Sequence, residues 1–525
     1  MQLFLSLSLL SAAAASFNIS NVFSNYSVLQ RGKPNTVWGF FITDGPAATV
    51  SAQWVNGVTY TSYPPDASGV WRVTFPPEPS SLAPFSLTFS SSAGGPALVL
   101  SSLLLGDVYF CSGQSNMGAV QVGAMWNASE MVAQAASFSA GLRLFQVDGN
   151  TQSPTPLAEW PRDALVPWQP PLGADGNSSA ALLGFSAACY IMGSTLYDQH
   201  LQRAVPVGLI HSSHGGTSIQ GWASPWGASQ CGDESEAANY TSTLYNSNVH
   251  PMTLGPLSIA AVYYYQGEQD CGIGSSETFW RAAWYGCSLR ALIRDWRSRL
   301  GDGGIFWVEQ QLHAWLHTDD IGLATFRAAQ LKALAEPFTA LSTAFDGGDP
   351  ASAMEGSPGG TVHSRAKFIP GRRAAAALAG AYYSLPTPYL NPRYGDATAF
   401  STTVNASTTV LTVTVALLPG TVTAAGLVLR PWEPMSNSSH CPTERAVNAS
   451  YCDWFSIQVN DAGGTWHNAS VALTEDAQGI VLTAAVPRGL AAVATRNGWS
   501  DWPVVTVYSA EGLPLAPWLR PVNAG

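Results

Sequence analysis

Between residues 17 and 105, apolar and polar positions alternate in short runs broken by Pro, Gly, Asp and Ser. Thr36-Val37-Trp38-Gly39-Phe40 and Gly69-Val70-Trp71-Arg72-Val73 are examples. A period of two puts every second side chain on one face, so this stretch is expected to be all-β. The pattern then changes. Short, nearly continuous apolar runs at 108–111, 207–211, 259–265, 305–308 and 340–345 read as strands buried on both faces. Helical stretches at 184–201, 278–300, 324–335 and 372–385 separate them. Strands alternating with helices predict a parallel sheet covered on both sides. From 391 the β pattern returns, as at 409–416 and 504–508. The expected fold class is α/β, with a central region 106–390 flanked by β regions 17–105 and 391–525.

Length and termini refine this picture. A chain of 525 residues exceeds the size at which a single core keeps growing, which agrees with two or three domains. Residues 1–16, an apolar run ending in small residues, resemble a signal peptide cleaved near Ala15 or Ser16, although the usual basic n-region is missing. The competing reading is a buried first strand. No later run approaches the ~20 apolar residues that span a bilayer. Nine Asn-X-Ser/Thr sequons, at Asn18, Asn25, Asn127, Asn177, Asn239, Asn405, Asn437, Asn448 and Asn468, support a secretory route. Charged residues make up only 11% of the chain and the net charge is −11 with no basic cluster, which argues against nucleic acid or an anionic membrane as partner. The seven cysteines show no metal-ligand spacing. Cys441 with Cys452, Cys271 with Cys287, and Cys189 with Cys231 are candidate disulfides, leaving Cys111 as a buried thiol.

Ligands of open parallel sheets bind beyond the carboxyl ends of the strands. Four such places carry polar groups: Ser112 to Met117, Ser213 to Thr217, Gln266-Gly267-Glu268, and the loop bearing His363. A serine in a strand-to-helix turn, as at Ser115, can present its hydroxyl above the sheet edge, and a neutral imidazole can take its proton. Gly215 and Gly216 offer open backbone N–H groups, and Gln266 a side-chain amide, for a developing oxyanion. Taken singly, each has a plainer reading: Ser115 as an N-cap, His363 as a packed residue, the glycines as a tight turn, Gln266 as a structural hydrogen bond.

Taken together, these segments resemble the sialate O-acetylesterase family and related SGNH-type acetylesterases. The matching stretches are Gly106 through Met117, Phe185 to Asp198, Val205 to Trp222, Tyr263 to Asp270, Leu292 to Arg297 and Val362 to Arg373, in the family's order. Shorter likenesses lie in both β regions, at Ser27 to Arg31 and at Glu511 to Pro514. The resemblance implies an SGNH-hydrolase-like three-layer sheet, with Ser115 as nucleophile and His363 as base. It also implies an oxyanion site from the Ser115 and Gly215–Gly216 N–H groups and Gln266, with Glu268 ordering the strand end.

The expected activity is hydrolysis of O-acetyl esters on carbohydrate, most naturally O-acetylated sialic acid, in a secreted or lysosomal or vacuolar setting. No metal or organic cofactor is required, and activity should fall as pH drops through the His363 pKa. The sequence departs from the family where an Asp normally precedes the base, so Asp346 and Asp349 are the candidate third members, with a Ser–His dyad as the other possibility. Arg327 is a candidate contact for a substrate carboxylate or, alternatively, a structural salt bridge. Two rival functions are an acetylesterase of xylan or another wall polysaccharide and a non-catalytic sugar-binding protein.

Overall fold

A strand of 16 residues, Leu98–Gly113 (β1), organises the molecule. Its last eleven positions, from Leu103, are buried without alternation, which requires cover on both faces. In this computed structural model the described residues are 17–42, 48–125, 127–148, 151–232, 241–271, 278–315, 322–349, 352, 361–430, 455–503 and 505–524. The expected leader, Cys441, Cys452, Asn239, Asn437 and Asn448 lie outside them.

The carboxyl half of β1 is the centre of a parallel array. The other members are Leu142–Asp148 (β2), Val207–Ser213 (β3), Ala261–Tyr265 (β4), Phe306–Gln310 (β5) and Thr339–Ser342 (β6), in spatial order β2-β3-β1-β4-β5-β6. The amino half of β1 pairs antiparallel with Ser81–Ser91 and parallel with Val28–Gln30. Leu165–Gln169 adds an antiparallel edge beside β2. The sheet is therefore mixed and 11-stranded, not purely parallel, because one strand passes through the expected boundary at 105.

The chain leaves β1 toward β2 and β3, then crosses to β4, so the strand order reverses at β1. Such a reversal is where a ligand crevice is expected, beyond the carboxyl ends of β3, β1 and β4. Ser115–Gly118 (α1) follows β1 directly. Ala187–Thr195 (α2) and Phe368–Ala377 (α5) pack together, as do Thr278–Arg299 (α3) and Gly322–Gln330 (α4). Successive strand residues face opposite ways. Phe110 accordingly meets Trp296 of α3, while Cys111 is bonded to Cys189 of α2.

That bond corrects the cysteine expectation. The disulfides join Cys111 to Cys189 and Cys231 to Cys287, each with Cα atoms 5.9 Å apart, and Cys271 is a buried thiol outside both. Pairing follows which helix covers which face of β1, and closeness along the chain carries no such information. Of the described sequon asparagines, Asn25, Asn127, Asn177, Asn405 and Asn468 are exposed and Asn18 is half-buried. No helix among the described residues is long and apolar enough to cross a membrane.

The hydrophobic core runs without interruption from Phe17 in the N-terminal β region to Ala379 after α5. The C-terminal β region has a core of its own, built on Leu411, Val413, Val415, Ile457, Leu482 and Trp518. Its strands Tyr394–Thr403, Thr408–Leu417 and Gly479–Pro487 pair antiparallel side by side. One of its loops reaches the central sheet. Arg327, fully buried on α4, donates to the carbonyls of Leu312, His313, Ser500 and Asp501. Four carbonyls occupy its guanidinium, so Arg327 fastens the C-terminal region and does not meet a substrate carboxylate.

Candidate active site

Ser115 is set by main-chain geometry. Gly113 takes φ +136°, and a Cβ there would stand 2.0 Å from the Tyr265 carbonyl oxygen, so only glycine lets β1 turn out so close to β4. The turn is braced on both sides. Gln114 N donates to Tyr265 O at 2.9 Å on the β4 side, and His214 N to Gly113 O at 3.1 Å on the β3 side. Buried Gln114 also accepts through Oε1 from Gly267 N, Gln269 N and Gln266 Nε2 at 3.1–3.2 Å. Ser115 comes out half-buried, and among the described residues its hydroxyl has no hydrogen-bond partner.

Gly215 lies against it: a Cβ built on Gly215 would be 3.2 Å from Ser115 Cβ. Gly215 and Gly216 are exposed, and Gly216 has φ +67°. No described carbonyl accepts from the N–H groups of Ser115, Gly215 or Gly216. Gln266 differs from expectation. Its Nε2 donates to Thr217 O at 2.9 Å and Asp270 Oδ2 at 2.5 Å and approaches Gln114, so both amide protons are committed. It braces the strand end, and the unengaged N–H groups beside Ser115 are main-chain ones.

His363 arrives from the far side, on the loop between β6 and α5, and Asn116 ties that loop to the nucleophile turn by donating from Nδ2 to Val362 O at 2.8 Å. The chain positions next to Ser115 and His363 therefore meet at the same sheet edge. The His363 ring is half-buried, and neither nitrogen is hydrogen-bonded to Ser115 or to a carboxylate among the described residues; the residue's carbonyl accepts from Ser352 Oγ at 2.6 Å. Catalytic hydrogen bonds are often long without substrate and tighten when it binds. Burial, then the charge of Lys367, lowers the ring's pKa from 6.5 to about 4.

The candidate acids are engaged elsewhere. Asp346 is gripped at both oxygens by Arg373, at 2.6 and 2.8 Å. Asp349 accepts from Arg365 Nε at 2.8 Å and from the Arg365 main-chain N at 3.2 Å. Both oxygens of Asp346 are thus engaged by arginine, and no hydrogen bond joins either candidate acid to the His363 ring among the described residues.

The sequence reading passed over three side chains that structure this site: Gln114, Asn116 and Lys367. Asn116 and Lys367 sat inside the matching stretches but showed no signal of their own. The one available hint was a lysine within an apolar surrounding, in a chain with only three.

A serine hydroxyl at a sheet edge with unengaged N–H groups beside it is an arrangement suited to acyl-transfer hydrolysis. The comparisons narrow this. Residues 105–349 match the family model described as carbohydrate esterase, sialic acid-specific acetylesterase. Sialate O-acetylesterase of Mus musculus is 30% identical over 331 residues, covering 54% of this chain and 57% of that protein. The Homo sapiens sialate O-acetylesterase is 28% identical over 311 residues, covering 56% and 55%. The matched region thus spans little more than half the length of these relatives. The crystal structure of a carbohydrate acetylesterase from Xanthomonas citri superposes over 96% of this chain and 99% of that one, with a TM-score of 0.73 and 24% identity. That likeness shows a shared fold over nearly the whole chain.

Proposed function

We propose that the protein is a serine esterase of the SGNH type that removes O-acetyl groups from carbohydrate through an acetyl-Ser115 intermediate. The observation that carries this reading is the unengaged Ser115 hydroxyl beside three open backbone N–H groups, at the edge where the His363 loop is fastened. His363 takes the Ser115 proton as Oγ attacks the acetyl carbon. The oxyanion is received by the Ser115, Gly215 and Gly216 N–H groups. The sugar oxygen leaves with the proton from the imidazolium. Water, deprotonated by His363, then attacks the acetyl carbon, acetate departs and Ser115 is restored.

O-acetylated sialic acid is the substrate favoured by the family match, and acetylated xylan or another wall polysaccharide is the second reading. The two disulfides fit an extracellular or lumenal setting. Fluorophosphonate labelling tests the site: peptide mapping should find the adduct on Ser115, and an active protein labelled elsewhere would end the proposal. Acetate release from O-acetylated sialic acid set against acetylated xylan decides the substrate.

A further inference from the structure

Asn116, the residue after the nucleophile, is fully buried, and its single amide serves three segments. Nδ2 donates to Glu268 Oε1 beyond β4 at 2.5 Å as well as to Val362 O, and Oδ1 accepts from Lys367 Nζ at 2.5 Å. Lys367 stands four residues beyond His363, is 1% exposed, and holds its ammonium 5.3 Å from the centre of the Tyr265 ring. Burying a lysine head group is costly unless it is paired. Here its hydrogen-bond partner is the amide beside the nucleophile.

We propose that Lys367 is a positioning residue for His363, on the reading of the site given above. Through Asn116 its ammonium fixes the base loop to the nucleophile turn, and its positive charge keeps the imidazole neutral in acid. The ionisable groups around the base are Lys367 on its own loop, Glu268 beyond β4, His313 beyond β5, and Asp349 with Arg365. Burial pushes the Glu268 carboxyl up and the Lys367 amine down. Burial and the charges of Lys367, Arg327 and His363 hold His313 well below the ordinary imidazole range. In acid, Glu268 and His313 are then uncharged and Asp349 is matched by Arg365. Lys367 then remains the cation that disfavours protonation of His363. The sign follows: a base that works neutral, with its folded pKa lowered, retains activity down to that pKa and loses it only below.

The test is the pH profile of kcat/KM for p-nitrophenyl acetate from pH 4 to 8, on wild type, Lys367→Arg and Lys367→Gln. Wild type should stay level down to about pH 5, Lys367→Arg should keep that limb, and Lys367→Gln should move it up by about one pH unit. A Lys367→Gln enzyme that loses activity equally at every pH has lost only packing, and the proposal falls. If that variant does not fold, the wild-type profile decides: an acid limb at the ordinary imidazole value, about 6.5, overturns the proposal. Labelling of wild type by a fluorophosphonate separates the two ideas. Without an adduct on Ser115 the esterase reading fails; with one and an ordinary limb, only the role of Lys367 does.

Discussion

Ser115 and His363 reach the same edge by different means. Ser115 follows a sixteen-residue strand by a turn, Gly113-Gln114, that main-chain hydrogen bonds pin to both neighbouring strands. The base rides on a loop, beyond a strand of four residues, that is fastened by side chains: Asn116, Lys367 and Ser352. Main-chain bracing leaves the nucleophile insensitive to its neighbours' chemistry, provided the glycines remain. Side-chain bracing makes the base adjustable, because each fastening group carries its own charge and pKa.

The largest effect should come from the reacting groups. Ser115→Ala and His363→Ala should each lower kcat for an aryl acetate by about 10^4-fold or more, and the double variant should be little worse than either, since the two act as a unit. Fully additive losses would break the pairing of the two sides. Next comes the tie between them. Asn116→Ala removes all three of its hydrogen bonds and should lower kcat/KM about 100-fold while Ser115 remains open to slow labelling; unchanged kinetics would mean the loop is positioned without it.

A smaller effect is expected at Gly215. Alanine there must push against Ser115 Cβ, and kcat should fall about 10-fold with little change in thermal stability. A drop in stability without one in kcat would place the contact outside the reacting geometry. Smallest in activity is Asp346→Asn. It breaks a buried ion pair with Arg373, so unfolding should become easier by about 3 kcal/mol. Kcat per folded molecule should change less than about 10-fold, whereas removing a triad carboxylate costs about 10^4-fold. Measuring both quantities on one preparation shows whether Asp346 serves the fold or the base.

Much of this was legible before the structure. The buried run around Val108–Cys111 marked the central strand because a strand covered on both faces needs apolar residues at every position. The turn Ser112 to Met117 stood out as a glycine-containing polar run at a strand end, and it was the family resemblance that gave Ser115 a role in it. The Gly215–Gly216 pair was legible for the same reason. The structural role of Arg327 was foreseen only as a salt bridge, because its four carbonyl partners come from two segments remote in the chain. The bonds of Gln266 were not legible because an amide's availability depends on neighbours such as Asp270 and Thr217, which only folding supplies. The expected boundary at 105 failed to separate two sheets because β1 is long enough to belong to both.

By itself, then, the sequence determined the elements and the residue types at their ends, because hydrophobic period and turn chemistry act over a few positions. The tertiary structure decided the partnerships: Cys111 with Cys189, Asp346 with Arg373, Asn116 with Lys367. Those depend on which faces pack together and which charges are thereby buried, and both are set by contacts between residues far apart in the chain.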